Sequence, residues 1–473
     1  MKINPYIFRG YDLRGEVDKD LNSEIVEHIG RAFGTILNRL GIPQAIVGRD
    51  CRLTGEEYSA ALIKGIASTG IEVIDIGLTL AGNLYWAQYH LDIKGGVMVT
   101  ASHNPKEYNG FKFATNFSET MVGSELQELK KIVESEDYFI VKEPVEVIKK
   151  DITEDYYKDL LNRFNIKKKF KVVIDPGNST SGVFVPELLR RAGCEVIEKN
   201  TELDGNFPLG MADPTGTEMI ERLVSEVLEA GADIGFSYDP DGDCIGVVDE
   251  KGRVVWNDVL LSIFAADVLG QNPGAIIMYN ILCSKVVDDI IKANGGKPFI
   301  WRTGYSFLKR KNREVGAAFI GELSGHFFFS ADFYNHDDGC YTTLRLLDYL
   351  SKNKQTLSQA VDILPKYISS PEIKVGCADD KKVSFIEKVS KILDIDWPDA
   401  EVIDDERAGD GVRLEMVDSM LVIRYSQNGP YLTVKFEANT QGKYDELKKY
   451  LNELLHKYKE VDWSFGVNVE SLE

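Results

Sequence analysis

The most chemically suggestive segment of the sequence is residues 97–112, where an apolar run leads into a serine, a histidine and a turn. Because Pro105 disfavours a helical conformation of the residue before it, Ser102 and His103 are predicted to follow the carboxyl end of a strand. Ligands of open α/β sheets collect at that edge. Ser102 is therefore a candidate covalent carrier, with Lys112 available for charge and proton transfer to an anionic substrate. A turn serine that bonds its own backbone is the alternative.

A second segment places carboxylates at every second position after an apolar run, at Asp239, Asp241 and Asp243. Alternate residues of an extended loop point to one side, so these side chains can converge on a divalent cation, and hard oxygen donors favour Mg²⁺. A calcium helix–loop–helix site fits poorly, because Cys244 occupies the sixth position, where glycine is wanted, and the flanks are β-rich. A solvated acidic turn is the remaining alternative, although its like charges would repel one another.

Residues 321–326 bring a carboxylate, a hydroxyl and an imidazole together between glycines. Glu322 and Ser324 suit vicinal sugar hydroxyls, because one accepts hydrogen bonds and the other can donate or accept them. His326 is a candidate general acid or base. An ordinary glycine-rich loop with a capping serine explains these residues equally well.

Arginines beside glycines are candidates for binding phosphate. Arg424, Ser426 and Asn428 lie between two predicted strands, and their guanidinium, hydroxyl and amide groups are suited to cradling a phosphate. Arg9 and Arg14 stand beside glycines near the amino terminus. Taken alone, a polar hairpin loop and a plain turn account for these two segments.

The composition limits the functions that these segments can serve. The chain of 473 residues is 44% hydrophobic and 10% aromatic, which is enough for several packed cores in three or four domains. Its formal net charge of −20 argues against nucleic-acid binding, which depends on a basic surface. An enzyme of phosphate esters must therefore concentrate positive charge locally within an acidic surface.

The targeting and cysteine patterns favour a cytoplasmic protein without membrane partners. The sequence has no run of about 18 apolar residues and no signal-peptide pattern at its amino terminus. Its six cysteines include no Cys-x-x-Cys pair, so neither a disulfide framework nor a zinc knuckle is suggested. The cysteines expected to be reduced and mostly buried are Cys51, Cys194, Cys244, Cys283, Cys340 and Cys377.

Alternating strand and helix patterns must position the candidate side chains. In the first 150 residues, β-rich runs at 45–49, 71–76 and 97–100 alternate with helical patterns, which is typical of a mixed or parallel sheet covered by helices. Two similar units follow, from about residues 150 and 252. Closely spaced strands and an amphipathic helix at 444–457 then predict a C-terminal α+β unit. The expected domains are 1–149, 150–252, 253–368 and 369–473.

In this order, the four segments resemble the α-D-phosphohexomutase family, most closely its phosphomannomutase/phosphoglucomutase branch, over essentially the whole chain. The resemblance implies four domains around a central cleft, namely three similar mixed-sheet α/β domains and a C-terminal α+β domain. It also implies an isomerase that interconverts 1-phospho and 6-phospho sugars of mannose and glucose through a phosphoserine and a sugar bisphosphate. A monomer and a homodimer both stay open.

The resemblance further implies roles for individual residues, including Ser102 as the phosphoryl carrier and Lys112 or His326 as the group that handles the proton. The residues expected in catalysis are Ser102, His103, Lys112, Arg14 and His326. Those expected to bind substrate are Tyr11, Arg9, Tyr305, Glu322, Ser324, Arg424, Ser426 and Asn428. Those expected to hold Mg²⁺ are Ser102, Asp239, Asp241 and Asp243.

Three positions depart from the usual family pattern. Cys244 stands where arginine is usual, Leu282 where lysine is usual and Tyr305 where histidine is usual. Each departure removes a cation or a titratable group from the expected cleft, so a phosphopentose or an amino-sugar phosphate is an alternative substrate. Two other hypotheses stay open: a phosphatase that loses the Ser102 phosphate to water, and a non-enzymatic regulator that binds sugar phosphates.

Overall fold

The computed structural model describes residues 1–426 and 429–472. The chain divides into two units. The first comprises Met1–Asn257, Tyr305–Gly316 and Ser324–Asp362, and the second comprises Asp258–Gly304, Ala317–Leu323 and Ile363–Glu473.

The first unit opens with a mixed sheet and its helices. The strands are β1 (Leu13–Glu16), β2 (Gln44–Arg49), β3 (Glu72–Leu78), β4 (Gly95–Val99), β5 (Tyr108–Asn116), β6 (Glu119–Thr120) and β7 (Val147–Lys149). The helices are α1 (Ser23–Arg39), α2 (Gly55–Ala67), α3 (Ala81–Leu91), α4 (Ser124–Ser135) and α5 (Thr153–Arg163), and Pro5–Ile7 forms a 3-10 helix. The strand order is β1-β5-β4-β2-β3-β7, with β6 paired to β5. Strands β4 and β5 are antiparallel, and Lys112 of β5 lies opposite Met98 of β4.

The pattern of apolar residues explains how helices cover this sheet. In α1, Val26, Ile29 and Phe33 recur at helical spacing and are fully buried. The side chain of Asn22 caps the helix by accepting a hydrogen bond from the Ile25 backbone N–H at 2.9 Å. Helix α1 therefore begins at a capping residue, and its apolar face is buried.

A second sheet of the first unit carries the acidic segment. Its strands are β8 (Lys171–Asp175), β9 (Glu195–Glu198), β10 (Ile234–Tyr238), β11 (Ile245–Asp249) and β12 (Val254–Val255), in the order β12-β11-β10-β8-β9. Helices α6 (Ser181–Arg191) and α7 (Thr217–Ala230) accompany them. Tyr238 pairs with Ile245 in the antiparallel β10–β11 hairpin. Residues 239–244 are thus the hairpin connection.

The next part of the chain contributes elements to both units. In the second unit, β13 (Ile276–Asn280) lies between β14 (Lys297–Trp301) and β15 (Phe319–Gly321) in a parallel arrangement. The accompanying helices are α8 (Asn257–Gln271) and α9 (Lys285–Ala293). The first unit receives α10 (Tyr305–Val315), β16 (Phe327–Phe328), α11 (Gly339–Asn353) and α12 (Leu357–Asp362).

The C-terminal part of the second unit is an antiparallel sheet with helices. Its strands are β17 (Ile368–Ser369), β18 (Ile373–Cys377), β19 (Glu401–Ile403), β20 (Gly411–Glu415), β21 (Ser419–Tyr425), β22 (Tyr431–Ala438) and β23 (Val461–Val467). The strand order is β19-β20-β21-β22-β18-β23, with β17 paired to β22. The helices are α13 (Lys382–Asp396) and α14 (Gln441–His456), followed by a 3-10 helix at Val469–Ser471. Phe385 of α13 and Leu447 of α14 are buried with Val434 in one apolar core.

Several sequence predictions are confirmed at this level. The runs predicted as strands at 45–49, 71–76 and 97–100 correspond to β2, β3 and β4, and the predicted helix at 444–457 corresponds to α14. The cysteines are buried, as expected. Within the described part of the chain, each helix is too short or too polar to cross a membrane.

Candidate active site

Ser102 lies in the connection between β4 and β5, three residues after β4 ends, so the predicted position beyond a strand is confirmed. Its backbone is left-handed, with φ of 48°, and the residue is only 3% exposed. Its N–H donates to Thr100 Oγ1 at 2.9 Å, and that hydroxyl donates to Asp50 Oδ2 at 2.7 Å. A left-handed non-glycine residue costs about 1–3 kcal/mol and persists where its surroundings hold it in place. The Ser102 connection is therefore a preformed, constrained loop.

Arg52, a buried residue that the sequence analysis did not identify, donates hydrogen bonds to several backbone carbonyls of this loop. Its guanidinium is a rigid fork of donors, which suits several acceptors at once. The carbonyl oxygens that accept from it belong to Ser102 (2.5 Å), Asn104 (2.6 Å), Tyr108 (2.8 Å) and Pro105 (2.9 Å). The sequence indicates this role of Arg52 only weakly, because an arginine shortly after a strand can have many functions.

The acidic segment meets the Ser102 loop directly. Ser102 Oγ donates to Asp239 Oδ2 at 2.6 Å and lies 3.2 Å from Nδ1 of the exposed residue His103. Asp239 is buried immediately after β10. Gly242 makes the turn possible: its φ is 68°, and a Cβ atom there would lie 2.8 Å from Leu80 Cδ2. Side chains that are far apart in sequence thus form one centre.

Lys112 supplies a buried positive charge to this centre. Its Nζ lies 2.7 Å from Asp241 Oδ2 and 2.6 Å from Asp243 Oδ2. Although burial opposes ionisation, the Lys112 ammonium lowers the pKa of Asp241 to about 2. Burial, together with the charges of Asp241 and Asp243, raises the pKa of Asp239 well above its usual value. The Lys112 ammonium by itself does not offset the charge of three converging carboxylates.

This shortage of positive charge is what a metal ion would correct. Oxygens of Asp239, Asp241 and Asp243 lie within 4.8 Å of one another. Asp241 Oδ1 is buried and has no hydrogen-bond partner among the described residues. Convergent carboxylate oxygens are the donors that hard divalent cations prefer. The cluster can therefore hold a divalent metal ion.

Arg14 contacts the Ser102 loop, and Tyr11 contacts Tyr305. Arg14 donates to the Ala101 carbonyl at 3.1 Å and to Asn104 Oδ1 at 2.5 Å, and Nη2 pairs with Asp12 at 2.7 Å. The Tyr11 ring packs edge-on against the Tyr305 ring, with centroids 5.3 Å apart.

Tyr305 is a buried neighbour of Lys112, whereas Arg9 is exposed. Tyr305 is buried, and its ring lies 4.8 Å from Lys112 Nζ, so the position where histidine is usual carries an aromatic face beneath an ammonium. The exposed residue Arg9 donates its backbone N–H to the Asp12 carbonyl at 2.9 Å.

His326 joins the acidic segment through a chain of buried polar contacts. Its Nδ1 lies 2.7 Å from Asp337 Oδ2, and its Nε2 lies 3.0 Å from Cys244 Sγ. Lys309 Nζ lies 2.8 Å from Asp337 Oδ1 and is itself fully buried. Sequence reasoning missed Asp337 and Lys309, because nothing local marks a carboxylate as the partner of a histidine eleven residues away.

The remaining predicted side chains are divided between the units. Ser324, which is partly exposed, belongs to the first unit, whereas Glu322 belongs to the second. Both carboxylate oxygens of the buried Glu322 accept from the Gly304 N–H, at 3.2 and 3.3 Å. This contact aligns Glu322 within its loop.

The predicted phosphate loop lies in the second unit. Arg424 forms a two-pronged ion pair with Asp410, at 3.0 and 2.6 Å. Lys382, which the sequence analysis did not identify, donates to the Ser426 carbonyl at 2.6 Å and to the Gly429 carbonyl at 3.2 Å. Asn428 lies outside the described residues. An additional ammonium therefore supports the loop that Arg424 precedes.

Leu282 shows how the chain accommodates the absence of the usual lysine. The residue is buried, at 7% exposure, in an apolar cluster of the second unit. The buried residues that share this cluster are Ile281, Ile403, Ala408, Met420 and Val422. The position is thus part of a hydrophobic core, which does not suit an ammonium group.

Comparisons with known proteins identify relatives along nearly the whole chain. Models described as phosphoglucomutase/phosphomannomutase α/β/α domains I, II and III match residues 5–139, 154–252 and 256–367. A phosphomannomutase/phosphoglucomutase from Pseudomonas putida is 39% identical over 442 residues, which cover 93% of this chain and 94% of that protein. One from Pseudomonas aeruginosa is 37% identical over 461 residues, which cover 98% and 97%.

A solved structure agrees with these relatives. A phosphoglucomutase/phosphomannomutase family protein from Burkholderia thailandensis has a TM-score of 0.88 and 31% identity, covering 96% of this chain and 98% of that one. The predicted fold class is therefore confirmed, with three α/β/α domains and a C-terminal sheet domain. The chain belongs to the α-D-phosphohexomutase family, in its phosphomannomutase/phosphoglucomutase branch.

Proposed function

We propose that this protein is a phosphohexomutase that interconverts 1-phospho and 6-phospho sugars of the mannose and glucose type. The observation that carries the proposal is the 2.6 Å hydrogen bond from the buried Ser102 hydroxyl to Asp239 of the acidic segment. A hydroxyl held beside convergent carboxylates and a lysine suits phosphoryl transfer, which depends on positioning and charge. Relatives named phosphomannomutase/phosphoglucomutase, at 37–39% identity, support the same reaction.

In the proposed cycle, phosphorylated Ser102 gives its phosphoryl group to a free hydroxyl of the sugar phosphate. The resulting sugar bisphosphate turns over within the site and returns its other phosphoryl group to Ser102. Each transfer is a displacement in which the attacking hydroxyl loses a proton and the departing oxygen gains one. The enzyme therefore begins and ends each turnover phosphorylated.

The chain's own side chains handle charge and protons in this cycle. The ammonium of Lys112, which faces Asp241 and Asp243, is positioned to balance added phosphate charge. Arg14 holds the loop through the Ala101 carbonyl. His326 is oriented by Asp337 at 2.7 Å and serves as the alternative to Lys112 for moving the proton.

We infer that the acidic cluster holds Mg²⁺. The residues that would hold it are Ser102, once phosphorylated, with Asp239, Asp241 and Asp243. When bound, the cation offsets the negative charge on the oxygens of the transferring phosphoryl group. The carboxylates contribute by remaining buried and convergent, so that little reorganisation is needed.

We propose roles in substrate recognition for the remaining predicted residues. Glu322 and Ser324 would bind the sugar hydroxyls, and the segment from Arg424 through Ser426 to Asn428 would bind the distal phosphate. Tyr11, Arg9 and Tyr305 complete the proposed substrate-binding set. Of the three departures, only Tyr305 falls within this set, and Ser102 and the three aspartates are all present. We further propose a cytoplasmic location and a monomer or homodimer.

Intact mass and product analysis test this proposal. Incubation with glucose 1,6-bisphosphate should add one phosphoryl group to the protein, and Ser102→Ala should abolish that gain and lower turnover by several orders of magnitude. Ser59→Ala, which changes a buried serine in α2, serves as the matched control and should behave like the natural protein. Products would be followed by phosphorus NMR with glucose, mannose, glucosamine and ribose phosphates.

Each possible outcome of the product analysis supports or contradicts the proposal. Conversion of glucose or mannose 1-phosphate to the 6-phosphate, with little free phosphate, supports the proposal. Stoichiometric release of free phosphate would instead make the protein a phosphatase. Fast turnover of only the amino sugar or the pentose would overturn the hexose assignment, and no turnover by phosphorylated protein on any of the four sugars would favour the regulator.

A further inference from the structure

A thiol, an imidazole and a carboxylate converge beside the acidic cluster. Cys244 Sγ lies 3.0 Å from His326 Nε2, and a carboxylate oxygen of Asp243 completes a group whose ligand atoms lie within 4.8 Å of one another. The three residues are at most 8% exposed. The proposed mutase reaction has no use for the thiol, and arginine is usual at its position. The group therefore calls for a separate explanation.

The contacts on the far side of His326 resemble those of a metal-ligating histidine. Its Nδ1 lies 2.7 Å from Asp337 Oδ2, and Lys309 Nζ holds the other oxygen of Asp337 at 2.8 Å. A carboxylate on one ring nitrogen places the proton there and leaves the lone pair on Nε2, which faces Cys244. Histidines that ligate metals almost always have such an outer partner, which orients the ring and raises its basicity.

We propose that Asp243, Cys244 and His326 form a binding site for a soft divalent cation of the Zn²⁺ type. Sulfur and imidazole donors select zinc and its analogues over magnesium, which takes oxygen donors. Three protein ligands leave a fourth position for water, as in many open zinc sites. The Cys244 thiol releases one proton to solvent as its sulfur binds the metal, so the site gains one net positive charge.

The position of the proposed zinc site predicts its effect on phosphoryl transfer. Asp243 is shared with the proposed Mg²⁺ cluster, and His326 is one of the proposed proton-handling groups. Zinc on these residues would withdraw both from the phosphoryl-transfer reaction, so the site is inhibitory. This consequence rests on the proposed function, whereas metal binding itself does not.

Cobalt(II) is a direct probe, because bonding to a thiolate gives an intense charge-transfer absorption in the near ultraviolet. The unmodified full-length protein should develop this absorption with one equivalent of Co²⁺ in the presence of excess Mg²⁺, and stoichiometric Zn²⁺ should remove it. Cys244→Ser should abolish the absorption, while Cys194→Ser, which changes another buried cysteine of the first unit, should retain it. Asp337→Asn should weaken cobalt affinity about 10- to 100-fold while keeping the band, because it removes only the outer partner.

Two results would contradict the proposed metal site. A band of equal strength in Cys244→Ser would assign the absorption to another cysteine. Cobalt bound by the natural protein without a thiolate band would restrict binding to the oxygen cluster. Circular dichroism identifies a variant that fails to fold, and the Asp337→Asn titration then still tests the ligand set with Cys244 intact. Because the readout is optical, an inactive mutase with a normal cobalt spectrum would refute the proposed function and leave the metal site standing.

Discussion

At the residue scale, the most consequential side chain outside the predicted set is Arg52. Its four carbonyl partners all lie in residues 102–108, the connection that carries Ser102. Charge-assisted hydrogen bonds to buried carbonyls are worth about 1.5–3 kcal/mol each, and unpaired carbonyls would be costly in this loop. We therefore expect Arg52 to be a positioning residue, which would act on the proposed reaction through the left-handed conformation of Ser102.

Arg52→Lys tests this role, because lysine keeps the charge but cannot reproduce the planar fork. We expect the rate of Ser102 phosphorylation by glucose 1,6-bisphosphate to fall about 100-fold, since small misplacements of reacting groups have effects of this size. KM should change little, because Arg52 is only 3% exposed and donates to backbone carbonyls of the loop. Time-resolved intact mass gives the rate, and Arg49→Lys, at the end of β2, is the matched control. Phosphorylation of Arg52→Lys at the natural rate would refute the role.

At the element scale, the segment after β13 shows how packing decides what a position can do. The buried Leu282 shares a cluster with Met420 and Val422 of β21, in the same unit. The backbone still presents a polar group there, since the Leu282 carbonyl accepts from Lys435 Nζ at 3.2 Å. The Leu282 side chain thus packs in the apolar cluster, while its backbone carbonyl accepts a hydrogen bond from an ammonium group.

Leu282→Lys, which restores the usual family residue, should therefore destabilise the second unit. Loss of a buried leucine costs about 2–5 kcal/mol, and an unpaired buried ammonium adds to this cost. Leu282→Met, which nearly conserves volume, should cost less than about 1.5 kcal/mol. Urea unfolding, monitored by hydrogen exchange of the β20–β22 amides, measures the loss of stability in both variants. A lysine variant that is as stable as the natural chain and binds sugar phosphate more tightly would make this a substrate-binding position.

At the scale of the whole molecule, the residues proposed for phosphoryl transfer and some of those proposed for substrate binding belong to different units. Ser102 and the aspartates belong to the first unit, whereas Glu322 and Arg424 belong to the second. Chains with more than one folded unit often unfold in more than one step. Ligands that bind one unit are then expected to protect that unit selectively.

Magnesium should accordingly stabilise the first unit alone. At a concentration about 100-fold above its Kd, a ligand adds about 2.7 kcal/mol to the free energy of unfolding. Native-state hydrogen exchange should show this gain in β10 and β11, with no change in β20–β22. Asp241→Asn, which removes one proposed ligand, should shift the gain to higher Mg²⁺ concentrations. Equal protection of both units would mean that they unfold together, and an unchanged titration for Asp241→Asn would remove Asp241 from the metal site.

The sequence by itself determined the features encoded over short stretches. Strand β4, the Ser102 turn, the alternating aspartates and the amphipathic helix α14 could be read because periodicity, turn residues and residue types act within a few positions. The resemblance carried by four such segments was also enough to predict the family. Arg9, Arg424 and Ser426 could be identified as candidates, although their partners could not.

Only the tertiary structure decided which groups meet. Ser102 reaches Asp239 across 137 residues, and Lys112 reaches Asp243 across 131. The burial of Leu282, the fork of Arg52 and the thiol–imidazole contact of Cys244 likewise depend on the packing of distant segments. The physical reason is that burial, charge pairing and metal-ligand geometry are properties of neighbours in space, and local sequence patterns do not specify those neighbours.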